Sequence, residues 1–249
     1  MIAVFVNCAV VILGSILGVL FSRKISDPLS EVISTAAGVI SIVIGIKMAL
    51  GFSNIVFLTL SMILGGLTGT AADIDGRIHG FGGLLEKVFF RRRGQELPVT
   101  GSGGDAPGRG RKDFPRAFLN GSVLFCVGAM SIIGSLQAGI QRDYTIILTK
   151  SVLDGFMAVV FSAALGIGTA FSAITILVYQ GLLTLFASAI SRFMTDEMLG
   201  EISAAGGVLV LMIGLGLAGV RQIKTANYLP ALVFIALFVL LGPYLPKIS

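Results

Sequence analysis

Charge is scarce in this chain of 249 residues: Asp, Glu, Lys and Arg together make up 12% of it. A soluble domain carries roughly twice that fraction, so a soluble domain of any size is excluded. There is a single histidine, His79. One imidazole cannot build a metal site, and no cluster with metal-ligand spacing accompanies it. The only cysteines, Cys8 and Cys126, both fall inside apolar runs, which makes them packing residues and not a disulfide framework. No nucleophile stands beside a base, and no glycine loop is built to cradle phosphate. The reading is therefore not an enzyme, with no catalytic residues, no metal and no cofactor. A net charge of +5 would suggest nucleic acid in a soluble protein. Here the positive residues sit between apolar runs, so membrane topology explains them and nucleic acid is not expected as a partner.

What the chain has in abundance is apolar sequence. It is 55% hydrophobic, with a mean hydropathy of +0.96. Apolar runs of about 18–21 residues, the length a helix needs to cross the hydrocarbon, recur throughout. The expected fold is all-α: a polytopic helical membrane protein whose first partner is the lipid bilayer. About eight transmembrane helices are expected, near 2–21, 32–50, 55–72, 117–137, 146–166, 170–190, 202–220 and 228–245. Small-xxx-small pairs, Gly14 with Gly18 and Gly65 with Gly69, fit close helix packing, or the face of a homo-oligomer.

Arg23 and Lys24 follow the first run. Arg77, Arg91, Arg92, Arg93, Arg109, Arg111, Lys112 and Arg116 lie between the third and fourth. Arg221 and Lys224 lie between the seventh and eighth. With the runs counted as above, these clusters share one side, which should be the cytoplasm. Both termini are then outside. Within the long basic connection, residues 76–93 place Ile78, Phe81, Leu84, Leu85, Val88 and Phe89 at helical spacing. That pattern reads as an amphipathic surface helix. Residues 94–115 read as a flexible linker, poor in apolar content.

The segment beginning at Ser26 resembles the one beginning at Thr195 at a constant, gapless offset of 169. Arg23 meets Arg192, Asp27 meets Asp196, Ser34 meets Ser203 and Gly38 meets Gly207. The matched runs are the second and the seventh. An odd shift reverses direction across the membrane, so the repeat is inverted: residues 1–75 against 169–249, with 116–168 between them. Inverted repeats are how many transporters obtain two related conformations.

Polar residues at membrane depth mark the candidate site. In TIILTKSVLDGFMAVV, Lys150 and Asp154 are four residues apart, which puts them on one helix face. Each such charge costs roughly 2.5–3.5 kcal/mol at a helix centre on insertion scales. They either neutralise each other or are used. Gln180 lies at the centre of the sixth run, and Ser34 and Ser203 sit just before the matched glycines. These five are the expected substrate- or ion-binding residues. Asn7 and Asn120 read as packing groups nearer the interfaces, and Asp73 and Asp75 as caps of the surface helix.

VNCAVVILGSILG, GGLTGTAADIDGRI, LFCVGAMSIIGSLQAG, KSVLDGFMAVVFSAALGIG and LVYQG together resemble the bacterial membrane-protein family of unknown function 554, the YqgA/YdfK type. The resemblance runs from about residue 1 to 245 and implies a multi-pass protein of the bacterial plasma (inner) membrane. That family has no established function, so the resemblance supplies neither substrate nor site residues. The leading expectation is a small transporter of an ion or small polar solute. The alternatives are an ion channel with a pore lined by Asp154, and a non-transporting scaffold that binds partners through residues 76–93.

The orientation is testable directly. A cysteine at Ser102→Cys should escape an impermeant reagent added to intact cells, while one appended after Ser249 should react. The reverse pattern would overturn both the orientation and the parity of the repeat.

Overall fold

A computed structural model describes residues 1–22, 27–78, 80, 83–84 and 114–242. Apart from the ends of each stretch, the expected surface helix and linker lie outside these residues. So do His79, Arg23, Lys24 and the arginines from 91 to 111. Phe114 and Pro115, expected in the linker, already open a helix.

Among the described residues every regular element is helical. In hydrocarbon each backbone N–H and C=O must be satisfied within its own segment, and a helix does this without a partner. The order is α1 (Ile2–Ser22), α2 (Asp27–Ala49), α3 (Ile55–Ala71), α4 (Phe114–Cys126), α5 (Ala129–Ile140), α6 (Thr145–Leu165), α7 (Gly168–Leu185), the short α8 (Ala187–Ile190) and α9 (Asp196–Leu217). A 3-10 turn (Thr225–Tyr228) and α10 (Ala231–Leu241) follow. Large apolar side chains face outward, among them Phe156, Leu67, Leu13 and Val43, each at least 60% exposed. Such a surface suits lipid as solvent.

Five helices, α1, α2, α6, α7 and α9, are long and apolar enough to cross a membrane. α4 and α5 make a sixth if taken together. α3 and the segment Thr225–Leu241 occupy the places of the expected third and eighth runs but are shorter. Seventeen residues of helix reach only ~26 Å, just short of the ~30 Å core. The fourth run, expected as one continuous helix over 117–137, is broken. α4 stops at Cys126, Gly128 takes φ 134°, and α5 departs at 63°. Only glycine adopts that φ without strain.

Helix ends are capped where polar residues allow. The Asn54 side chain accepts from the Val56 and Phe57 N–H groups at the start of α3. Thr195 accepts from Met198 N–H at the start of α9, with Asp196 and Glu197 in the first turn to complement the dipole. Just before α6, Asp143 Oδ1 accepts from both the N–H and the hydroxyl of Thr145. These bonds hold its carboxyl below the usual carboxylate range.

Glycine sets the packing. α1 and α6 run parallel, with Gly14 against Gly155 and Gly18 against Val159 and Ala163. α4 and α7 also run parallel, joined by a 2.9 Å hydrogen bond between the Ser122 and Thr175 hydroxyls. α3 and α10 run antiparallel, with Gly65 against Ala231 and Gly69 against the carbonyl of Asn227. The two small-xxx-small pairs thus pack within the chain.

α2 and α9 are antiparallel, and their contacts are reciprocal. A Cβ on Gly38 would strike the backbone of Gly214 and Ala218, and one on Gly207 that of Gly45 and Ala49. One on Gly45 would strike Gly207 and Leu211, and one on Gly214 would strike Gly38 and Ile42. Each contact becomes its counterpart when 169 is added on one helix and subtracted on the other. Helix boundaries follow the same shift. Moved by 169 residues, Asp27–Ala49 becomes 196–218 against the observed 196–217. Ile55–Ala71 becomes 224–240 against 225–241.

A side chain at this seam has no room. Gly207→Ala places its Cβ under 3.0 Å from α2 backbone and should cost about 1–3 kcal/mol, the usual range for overpacking. Gly181→Ala on α7, whose nearest neighbour is the tip of Met1 at 3.6 Å, should be neutral or gain about 1 kcal/mol from helix propensity. Thermal unfolding of the two proteins in detergent checks the contrast.

Candidate functional site

The polar cluster forms where α1, α6 and α7 meet. α6 supplies Lys150 and, one turn later, Asp154. The two form an ion pair between Lys150 Nζ and Asp154 Oδ2, as the four-residue spacing requires. Each is only 7% exposed. Because α1 packs closely on α6 through Gly14 and Gly155, it delivers Asn7 to the same carboxylate. Asn7 Nδ2 donates to Asp154 Oδ2 at 3.2 Å and to Gln180 Oε1, from α7, also at 3.2 Å. Asn7 and Gln180 are fully buried.

The chain Lys150–Asp154–Asn7–Gln180 uses both hydrogens of the Asn7 amide. It leaves one acceptor, Asn7 Oδ1, and one donor, Gln180 Nε2, buried without a protein partner. An acceptor and a donor side by side, beside a self-neutral ion pair, suit a small group that both gives and takes hydrogen bonds.

Three of the expected residues, Asp154, Lys150 and Gln180, are thus brought together, with Asn7 as the link. Asn7 was expected as a packing group near an interface. It does join helices, and parallel packing of α1 on α6 sets residue 7 beside residue 154, so that it also enters the cluster. Ser34 and Ser203 are half-buried on α2 and α9 and take no part in the chain. Cys8 and Cys126 are free and buried, and the Cys8 thiol donates to the Ala173 carbonyl at 3.4 Å.

A cavity of about 390 Å³ lies along α4. It follows one face of α4 from Phe118 to Val127, a rise of ~14 Å. α7 contributes Thr175 and Tyr179, and α9 contributes Ile202. Arg77 stands at one end and the break after Cys126 at the other. Its walls are chiefly apolar, relieved by the hydrogen-bonded Ser122 and Thr175. Cys126 and Tyr179 line it and also belong to the apolar layer around the polar cluster. The cavity thus borders that apolar layer, and none of the four cluster residues lines it. Asp73 and Asp75 lie at the end of α3. The Asp73 carboxylate sits over Gly76, and the Asp75 N–H donates to Asn227 Oδ1 at 2.9 Å.

The family model described as "Protein of unknown function (DUF554)" matches residues 2–240, and the chain belongs to that family. It is 29% identical to the uncharacterized membrane protein YdfK of Bacillus subtilis (strain 168) over 230 residues, covering 91% of this chain and 90% of that one. It is 28% identical to the uncharacterized protein YqgA of Escherichia coli (strain K12) over 228 residues, covering 92% of each. No solved structure matches it. The protein is a membrane protein, as its apolar helices and its likeness to the Bacillus membrane protein both indicate.

Lys150 and Asp154 differ in what each can do alone. A lysine stem is long enough to carry its charge a turn toward the interface, whereas a carboxylate is not. Lys150→Met should therefore cost about 3–5 kcal/mol, the usual penalty for stranding a buried charge. Asp154→Asn should cost clearly less. Adding Asp154→Asn to Lys150→Met should recover most of the loss, read as apparent melting temperature in a double-mutant cycle.

Proposed function

We propose that this protein is a small transporter of an ion or small polar solute that works by alternating access. Asp154, Lys150 and Gln180, joined by Asn7, would form its binding group. In this reading it lies in the inner membrane of a bacterium as a multi-pass protein with both termini outside. Its partners are the bilayer and the solute.

The observation that carries the reading is the reciprocity of the α2–α9 seam. When two antiparallel helices contact each other so that every pair has its counterpart at the same offset, the interface is pseudo-isologous. Two related halves of opposite direction can exchange conformations of similar energy, which is the basis of alternating access in inverted-repeat transporters. The helices around the seam support it. α1 packs parallel to α6, and α7, its counterpart at the 169 offset, packs parallel to α4. The break after Cys126 supports it too. Interrupted helices free backbone groups at membrane depth, and these are tolerated where they line a cavity. Ser34 and Ser203, one turn from the matched glycines, would meet a solute along the seam.

The test is uptake by protein reconstituted in vesicles, paired with a screen for solutes that raise its melting temperature. A solute at 100 times its Kd should stabilise the protein by about 2.7 kcal/mol. Asp154→Asn should stay folded, lose saturable uptake and lose the stabilisation. Full uptake by Asp154→Asn would remove the binding role from this cluster.

A further inference from the structure

The reciprocity of the α2–α9 seam makes its two ends comparable, and they differ. At one end Glu201 of α9 is wholly buried. Its Oε1 accepts the backbone N–H groups of Ser53 at 2.7 Å and Asn54 at 2.6 Å, which holds the α2–α3 turn on the start of α9. Successive backbone N–H groups that converge in this way form a small anion site. Here the chain's own carboxylate fills it.

At the offset of 169 those N–H groups correspond to the ones of Gln222 and Ile223, and Glu201 corresponds to Val32. Valine offers no acceptor, and Val32 is 61% exposed. The N–H groups of Gln222, Ile223 and the following Lys224 have no partner among the described residues. The one-residue shift between α3 and Thr225–Leu241 therefore leaves the comparison unchanged. One end carries its anion built in, and the other lacks it.

All three residues line a second cavity of about 390 Å³, between the end of α3 and the connection from α9 to the 3-10 turn. None of the four residues of the polar cluster lines it. Water can serve free N–H groups on a loop, and basic residues on a loop can reflect topology alone. Two further features point to a ligand. Asn227 lines the cavity and is only 4% exposed. The Asp75 N–H occupies its Oδ1 at 2.9 Å, and its Nδ2 hydrogens have no partner among the described residues. The cavity also holds charges of both signs, Arg221 and Lys224 with Asp73. Among the described residues no two of these form an ion pair.

We propose that this cavity binds a small zwitterion whose carboxylate takes the place that Glu201 fills at the other end. The N–H groups of Gln222 and Ile223 hold the carboxylate, and Asn227 adds a donor. Arg221 and Lys224 supply the opposite charge. Asp73 then receives the ammonium group of the same ligand. An anion without an ammonium group would meet Asp73 as a like charge, which costs affinity. This chemistry belongs to free amino acids and also to a phosphatidylserine head group. The site stands apart from the α1–α6–α7 cluster and does not require the transport reading.

Titration calorimetry on the whole protein in maltoside micelles tests it. The soluble probes are glycine, β-alanine, γ-aminobutyrate and acetate. The lipid probes are dihexanoylphosphatidylserine and, as its control, dihexanoylphosphatidylglycerol. At least one zwitterion should bind saturably, about tenfold or more tighter than acetate. Arg221→Ala and Lys224→Ala should each weaken it by about tenfold or more. Asp73→Asn suits the same backbone, at φ 46°, and should erase the preference over acetate. Val32→Glu is the decisive variant. It offers the N–H groups a carboxylate of the chain's own, so it should abolish binding and melt no lower than the parent. Val32→Leu should bind as the parent does. Saturable binding by no probe, or binding indifferent to Arg221→Ala and Val32→Glu, overturns the site. Acetate or the phosphatidylglycerol control bound as tightly as the zwitterions overturns the ligand class. Binding of the free amino acids places the ligand in solution, and binding of phosphatidylserine alone places it in the bilayer. Vesicle uptake is measured separately. Uptake without this binding keeps the transport reading and removes the site, while binding without uptake does the reverse.

Discussion

Two helices immersed in lipid gain nothing from hiding apolar surface from each other, because the lipid is as apolar as they are. What holds them is contact between atoms at van der Waals distance, and that requires the backbones to approach. The α2–α9 seam meets this requirement with four glycines, Gly38, Gly45, Gly207 and Gly214, each facing backbone of the opposite helix. The rest of the structure depends on it. The seam joins the first and last parts of the chain. Gly206 on α9 also receives Val127 from the broken span, so the place where α4 ends is fixed by the same helix. A second glycine contact, Gly14 with Gly155, then determines that Asn7 reaches Asp154.

The polar cluster is affordable because each member solves another's problem. Asp154 has the Lys150 charge one turn away and an amide hydrogen from Asn7. Asn7 spends its second hydrogen on Gln180. The sum is neutral, so no net charge is buried, but the solution is incomplete by one acceptor and one donor. A purely structural network gains from closing such gaps, since a half-satisfied network is costlier than an apolar core. A network that receives a solute has to keep them.

What the sequence made legible follows the range of the information. The Lys150–Asp154 pair was readable because helix geometry alone fixes residues four apart. The boundaries of α1, α2, α6 and α9 were readable to within several residues from hydropathy. The link from Asn7 to Asp154 was not legible because it depends on which helix lies beside α1, and no local pattern encodes that. The break after Cys126 was hidden because LFCVGAMSII is apolar throughout, and a glycine there reads as packing. Only its φ of 134° shows the turn. Glu201 was passed over for a related reason. It lies six residues after Thr195, near the start of a helix, where an acidic residue ordinarily complements the dipole. Its burial comes from a turn 147 residues away.

Asp154 and Glu201 therefore make different demands on the same membrane interior. Asp154 is matched by a cation and one amide, which is itself bonded to a second, so a change in its charge would alter the whole cluster. Glu201 is matched by two N–H groups at the start of α3 and by no cation among the described residues. Neutralising it removes an uncompensated charge from the seam and weakens one turn while leaving the α2–α9 glycine contacts in place. A group that holds a single turn can be changed without dissolving its surroundings. A group embedded in a mutually dependent network is suited to recognition. The fold separates the two, with the polar network at the α1–α6–α7 junction and the carboxylate-held turn at the end of the seam, and α9 and α6 meet the broken span between them.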